Sequence, residues 1–223
     1  MTTPHCGLLF HFTHADNLPT ILAAGALLSD TTVNAQELLS TEAGDPEIKQ
    51  RRRQQPVTCQ PGGVVADYVP FYFAPRSPMM YVLWKGQVPS FNGDHRDLVY
   101  FVSHVERMTA AEVPFAISDR NAAKTLADFT NDVSVLGDLT TGAPQSDFLD
   151  WAVMKATMWN NTRDDGERME RRMAEFLVQG EVPLGLLDGT AVQSEDRKAK
   201  VERLFAGAGL SLRVVVRPDW YYS

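Results

Sequence analysis

The sequence predicts an α+β fold, and three observations carry that prediction. Short runs rich in β-branched and aromatic residues recur along the chain, bounded by glycine and proline. Amphipathic segments with recognisable caps lie between them. Two stretches, 29–63 and 128–144, follow neither period and are long enough to be loops, of the kind that often bind or cover a ligand.

Taken in order, Leu8-Leu-Phe-His-Phe-Thr13 reads as a strand. The helix after it is capped by Asp16 or Asn17, tolerates Pro19 in its first turn, aligns Leu18, Ile21 and Leu22 on one face, and stops at Gly25. His11 and Thr13 therefore fall at a strand end beside a helix N-terminus, where free N–H groups and the helix dipole favour a polar or anionic ligand. Within the excursion 29–63, Asn34–Leu39 and Glu47–Gln55 predict short helices, and Gln60-Pro-Gly-Gly63 predicts a turn. This excursion carries a basic cluster of Lys49, Arg51, Arg52 and Arg53.

Tyr68–Phe73 reads as a strand in which Pro70 implies an edge or a bulge. Its aromatics occupy both faces, so one face needs a ligand, a helix or a partner as cover. Pro75-Arg-Ser-Pro78 is a turn into a helix through Met79, Tyr81, Val82 and Trp84. Leu98–Ser103 and Pro114–Ile117 are further strands, and Ser118-Asp-Arg-Asn121 reads as a turn and cap before a helical Ala122–Leu126. Asp128–Pro144 is rich in Thr, Asp and Gly and reads as a loop. Phe148–Met158 predicts a helix, Glu195–Phe205 an amphipathic helix closed by Gly207, and Ser211–Val216 a last strand before the aromatic tail Trp220-Tyr-Tyr222.

Met173-Ala-Glu-Phe-Leu-Val178 contains the most informative residue. From Ala174 the run is apolar and strand-like apart from Glu175. Strand alternation alone turns Glu175 to solvent while Ala174, Phe176 and Val178 face inward. A carboxylate buried in such a strand would instead need a partner, because its desolvation costs on the order of several kcal/mol.

Composition narrows the function. The 223 residues, 44% of them hydrophobic, suffice for a core and are read as a single domain spanning 1–223. No apolar run is long enough for a membrane span, and the N-terminus lacks the blocks of a signal peptide, so a cytoplasmic protein is expected. Cys6 and Cys59 form no framework and no Cys/His spacing suits zinc, so neither disulfide nor metal is expected. A formal charge of −7 argues against sequence-independent binding to a polyphosphate, although a local basic cluster still steers an anionic ligand.

Three blocks resemble a known family. Leu9-Phe-His-Phe-Thr-His-Ala-Asp-Asn-Leu-Pro-Thr-Ile-Leu22, Tyr68-Val-Pro-Phe-Tyr-Phe-Ala-Pro-Arg-Ser-Pro-Met79 and Arg172-Met-Ala-Glu-Phe-Leu-Val178 look like the signature blocks of DarT, the bacterial DNA ADP-ribosyltransferase toxins. More distantly the layout is similar to the His–Tyr–Glu class of ADP-ribosyltransferases. The resemblance implies a split β-sheet core with helices and long loops over an NAD cleft, in which 29–63 covers the NAD and 119–144 reads the substrate.

It also implies roles for residues. His11 with Thr13 would orient the NAD ribose and nicotinamide amide, Tyr72 would stack on nicotinamide, and Asn17, Arg76, Ser77 and Tyr81 would complete the cofactor pocket. Phe12 stands where the class has glycine. Glu175 would stabilise the oxocarbenium-like ribose, a charge that develops only in the transition state. Nicotinamide is already cationic while bonded to the ribose and departs neutral, so the pocket supplies positioning rather than an acid. An arginine of the excursion would act at the acceptor base: Arg51 as first choice, then Arg52, with Arg53 behind both. Asp119, Arg120 and Asn121 would contact base or phosphate. The implied acceptor is thymine or guanine in single-stranded DNA, NAD is consumed as substrate without metal, and the implied partner is a macrodomain antitoxin of the DarG type. An ADP-ribosyltransferase acting on protein or RNA, and a non-catalytic nucleotide-binding module, are the alternatives.

Overall fold

The structure is a computed structural model that describes residues 7–38, 40–139, 141, 143 and 146–223. Expectations that fall on Met1–Cys6, Leu39, Thr140, Gly142, Pro144 and Gln145 lie outside the described residues.

The β-forming runs become strands β1 (Leu8–His14), β2 (Ala26–Leu28), β3 (Tyr68–Tyr72), β4 (Leu98–His104), β5 (Phe115–Asn121), β6 (Phe129–Thr130), β7 (Ala174–Gln179), β8 (Glu181–Pro183), β9 (Gly189–Val192) and β10 (Val214–Val216). Between them lie α1 (Leu18–Ala24), α2 (Asp30–Ala35), α3 (Pro46–Arg52), α4 (Pro78–Trp84), α5 (Val105–Ala110), α6 (Trp151–Lys155), α7 (Arg168–Arg171) and α8 (Glu195–Gly207). Eight strands form a mixed sheet in the order β10-β9-β4-β1-β3-β7-β5-β6, and β2 pairs with β8 separately. The expected α+β class is therefore found.

The sheet divides in the middle. β1 pairs with β4 from Leu8↔His104 to His14↔Leu98, and β3 pairs with β7 from Tyr68↔Gln179 to Tyr72↔Glu175. Between β1 and β3 the register holds one pair, Phe10↔Tyr72. From that pair the two half-sheets diverge, which opens a cleft between the end of β1 and the β3–β7 pair. Pro70 fits this split. The N–H and C=O of a strand residue point the same way, and the Pro70 carbonyl meets the His11 ring on the β1 side, so the N–H that proline lacks would have faced the open gap. Proline thus tolerates an interior strand because the ladder is interrupted beside it.

Three buried clusters hold the half-sheets, one of which packs Phe10, Leu98 and Tyr100 with Met80, Leu83 and Trp220. Leu9, Val69, Phe71, Phe101, Phe176 and Val178 are fully buried on one side. On the other side Leu177, Tyr68 and Ala116 pack with Val57 of the excursion and with Val65, just after it. Strand alternation held for β7, since Glu175 and Leu177 do point away from Phe176 and Val178. The face they share is not open, however, because the excursion roofs it.

Several boundaries differ from the sequence reading. Ser118–Asn121 is part of strand β5, not a cap, and Ala122–Leu126 forms turns, because residues 122–126 follow a strand end that must reverse toward β6. The Phe148–Met158 helix contracts to α6, and the last strand begins at Val214. α2 starts earlier than expected because Ser29 accepts the Thr32 N–H as its N-cap. Strands β2, β6, β8 and β9 were not expected, being too short for a period to show; β6 falls in the stretch 128–144 expected as a loop. No helix among the described residues is long and apolar enough to cross a membrane.

Candidate active site

Glu175 lies on β7 in register with Tyr72 of β3 and is 1% exposed. Its burial is compensated in full view of the cleft. Arg52 Nη1 donates to both carboxylate oxygens at 2.9 Å, and the Ala122 N–H donates to Oε1 at 3.1 Å. The Arg52 side chain is itself only 15% exposed, and its Nη2 is buried with no hydrogen-bond partner among the described residues. That leftover donor beside the carboxylate is the kind of group that needs an acceptor.

Of the two arginines expected at the acceptor base, with Arg51 ahead, the structure brings Arg52 to Glu175. Arg51 is 59% exposed and reaches Glu47 one turn back on α3. Arg53 binds Asp30 and Asn34, and Lys49 bridges Asp30 and Glu42. Consecutive helix residues point about 100° apart, so one arginine of the three can enter the cleft while its neighbours clamp the excursion from outside.

On the opposite lip, His11 Nδ1 donates to the Pro70 carbonyl at 2.9 Å. Burial, the first cause, and the nearby Arg52 charge lower the His11 pKa to about 4, against the opposing effect of the Pro70 bond. The ring is neutral at physiological pH with its proton on Nδ1, which leaves Nε2 as an acceptor. Thr13 Oγ1 accepts from Asn17 Nδ2 at 3.0 Å.

Asn17, expected in the cofactor pocket, has its side-chain amide bonded within the protein. Nδ2 also donates to the Thr41 carbonyl, and Oδ1 accepts the Ser40 and Thr41 N–H groups. Two donors and two lone pairs exhaust an amide. Asn17 is a latch between the His-x-Thr strand end and the start of the excursion.

Tyr72 stands at the split. Phe12 stacks near its ring at 6.1 Å between centroids, so the residue in the glycine position of the class extends the aromatic wall. Burial, then the Glu175 charge, pushes the Tyr72 hydroxyl well above the usual phenol range, and it stays protonated. Ser77 is buried and spends its hydroxyl as the N-cap of α4, accepting the Met80 N–H at 3.3 Å. Arg76 has a left-handed backbone, φ 55°, a strained state for a residue with a side chain. Trp159 Nε1 and Tyr222 Oη both donate to its carbonyl, at 3.0 and 2.9 Å, while its guanidinium lies 4.4 Å from the Tyr222 ring centre. Tyr81 meets Trp84, Trp159 and Tyr222 edge-on. Arg76 and Tyr81 thus belong to an aromatic cluster that fixes the turn after Tyr72.

The three residues expected to read the substrate are engaged with the protein. Asp119 accepts from Arg120 Nε at 2.8 Å and from the Asp128 N–H at 3.0 Å, and Arg120 also reaches Glu167. Asn121 accepts the Ala123 N–H and donates toward Met173 sulfur. They shape the turn that presents Ala122 to Glu175. In this structure they offer little free hydrogen-bonding capacity for a base.

Sequence reasoning missed Ser118, whose hydroxyl meets the Glu175 backbone, and Arg172. The latter is 5% exposed, and its guanidinium donates to the carbonyls of Val153, Met154, Ala156 and Pro75. Burial lowers its pKa to about 10, so it remains charged while tying α6 and the Pro75 turn to the base of β7. An arginine in a charged run carries no periodic signal that separates this one from its exposed neighbours. Among the described residues no group of three or more His, Cys, Asp or Glu is arranged to hold a metal.

A sheet split at one residue pair, His-x-Thr on one lip and an aromatic in register with a buried glutamate on the other define the ADP-ribosyltransferase class. The family model described as ssDNA thymidine ADP-ribosyltransferase, DarT, matches residues 10–222, and the chain belongs to that family. It is 35% identical over 222 residues to a DNA ADP-ribosyl transferase of Mycobacterium tuberculosis, covering 98% of this chain and 90% of that one. Its structure superposes on Thermus sp. 2.9 DarT in complex with ADP-ribosylated ssDNA with a TM-score of 0.86 at 32% identity, over 100% and 99% of the two chains. The same Thermus protein in complex with NAD+ gives 0.79 at 31% identity, over 99% and 100%.

Proposed function

We propose that the protein is an NAD-dependent mono-ADP-ribosyltransferase that attaches ADP-ribose to a base of single-stranded DNA, thymidine first, and releases nicotinamide. The observation that carries the reading is the buried Glu175–Arg52 pair at the split of the sheet, facing His11 and Tyr72. The full-length match to a family described by its ssDNA thymidine activity supports it, as do the Thermus complexes with NAD+ and with modified ssDNA.

The residues divide the work as follows. His11, with Nε2 free to accept, and Thr13 orient the ribose and the nicotinamide amide, while Tyr72 and Phe12 form the wall on which the nicotinamide ring rests. Glu175 accepts from the ribose 2′-hydroxyl and stabilises positive charge as the bond from C1′ to nicotinamide nitrogen breaks, its electron pair leaving with nicotinamide. The base nitrogen then bonds to C1′ and its proton passes to Glu175 or to water. Arg52 is too weak an acid to act as a base, so it donates to the base oxygen as negative charge gathers there. Its unpartnered Nη2 is the donor available for that.

The protein acts in the cytoplasm as the toxin of a pair whose antitoxin is a macrodomain protein of the DarG type. Labelled NAD incubated with single-stranded oligonucleotides of graded base content tests the reading. Transfer that follows thymidine content is expected, and transfer to protein or RNA with none to any DNA would overturn it. Growth arrest on expression, relieved by the macrodomain protein, is the outcome expected in a bacterial host.

A further inference from the structure

We propose that Ser118 is a positioning residue for Glu175, acting through an enlarged bulge in strand β5; the inference rests on the function proposed for Glu175. β5 pairs with β7 at Ile117↔Phe176 and again at Asn121↔Ala174. One residue of β7 lies between those pairs, and it is Glu175. Three residues of β5, Ser118, Asp119 and Arg120, lie opposite it, so the strand carries two more than the ladder accommodates. Bulges of this kind bend a strand and re-aim side chains beside active sites.

The bulge leaves a vacancy in the hydrogen-bond ladder at the glutamate itself. The Glu175 N–H points toward β5, where the backbone has swung away and offers no carbonyl. Ser118 Oγ fills the place, accepting the Glu175 N–H at 3.1 Å and donating to the Arg120 carbonyl at 2.7 Å. Ser118 is fully buried, out of reach of bulk water, so the Glu175 N–H relies on a partner within the protein. The same detour brings β5 back at Asn121 and aims the next N–H, from Ala122, at Glu175 Oε1 at 3.1 Å. One serine hydroxyl therefore closes the bulge that fixes both the backbone and the carboxylate of Glu175.

The position has no other evident demand for a hydroxyl. A serine that only satisfied the fold would affect stability without selectively affecting the chemical step. Displacement of a reacting group by about 1 Å costs on the order of 100-fold in rate, so Ser118→Ala is expected to lower kcat about 10- to 100-fold while KM for NAD changes less than about threefold. Ser118→Thr keeps the hydroxyl on a residue suited to a strand and is expected to recover most of the loss.

The experiment measures steady-state transfer to a thymidine-containing oligonucleotide for the parent, Ser118→Ala, Ser118→Thr and Ser118→Cys, with thermal midpoints to establish the folded fraction. Hydrogen exchange of the Glu175 amide is followed by NMR on the same samples. The proposal expects the Glu175 amide to lose protection in Ser118→Ala and to regain it in Ser118→Thr, in step with kcat. If Ser118→Ala does not fold, Ser118→Cys, whose sulfur is a weaker acceptor, takes its place with an intermediate loss. A folded Ser118→Ala or Ser118→Cys protein that keeps kcat within twofold of the parent, or keeps the Glu175 amide protected, overturns the proposal. A parent that modifies no DNA overturns the functional reading instead, and the exchange measurement still decides the structural claim.

Discussion

Arg51 and Arg52 are adjacent in sequence and identical in chemistry, yet the helix sends one outward to Glu47 and the other onto Glu175. Arg52→Ala strands a buried carboxylate and removes the donor at the acceptor base, so transfer is expected to fall about 100-fold or more. Arg51→Ala removes an exposed ion pair worth little and is expected to leave transfer within about threefold. Comparing the two variants under one assay checks the assignment, and equal losses would contradict it. His11 gives a second residue-scale test. The unfolded chain takes up its proton near 6.5, whereas the native ring does so at about 4. Its contribution to folding is therefore complete above 6.5 and erodes as pH falls from there toward 4. The His11 ring resonance in an NMR titration is expected to stay flat from pH 8 to about 5.5 and to move only near 4; a midpoint close to 6.5 would show an exposed, freely charging ring.

At the scale of elements, the excursion 29–63 decides what the central strands can do. Without it Glu175 would look out on solvent, as strand alternation predicts. With Val57 packed in the cluster of Leu177, and Arg52 above Glu175, the same face becomes the floor of a cleft. Asn17 fastens the front of this cover through four hydrogen bonds to Thr13, Ser40 and Thr41. Asn17→Asp keeps the shape and loses both donations, at about 1 kcal/mol each. KM for NAD is expected to rise about tenfold with kcat nearly unchanged; a fall in kcat at constant KM would place Asn17 in the chemical step instead. The strands of the three signature blocks were legible because each carries its own apolar pattern and a polar exception. The role of Asp119, Arg120 and Asn121 was not, because a bulge is a relation between two strands and leaves no mark on either alone. The choice among Arg51, Arg52 and Arg53 likewise depended on helix phase against a strand more than a hundred residues away.

At the scale of the whole molecule, the chain holds a negative net charge of −7 yet turns an arginine inward at its centre. Its surface offers no broad attraction for a phosphate backbone, and recognition is left to the cleft, where a base without a complementary strand can enter. The sheet split at Phe10↔Tyr72 makes that cleft, three buried clusters hold its lips, and the excursion closes it. The family blocks named the chemistry from sequence, while the closure of the cleft around Glu175 emerged only from the assembled sheet. The most direct test of this account is the rate of ADP-ribosyl transfer from NAD to an oligonucleotide with a single thymidine, measured by mass spectrometry for the parent and for Glu175→Gln. Glutamine preserves the shape of the side chain and removes its charge, so the account predicts a single adduct at the thymidine for the parent and a loss of about 100- to 1,000-fold for the variant. A Glu175→Gln protein that modifies the thymidine at a rate near that of the parent would contradict it.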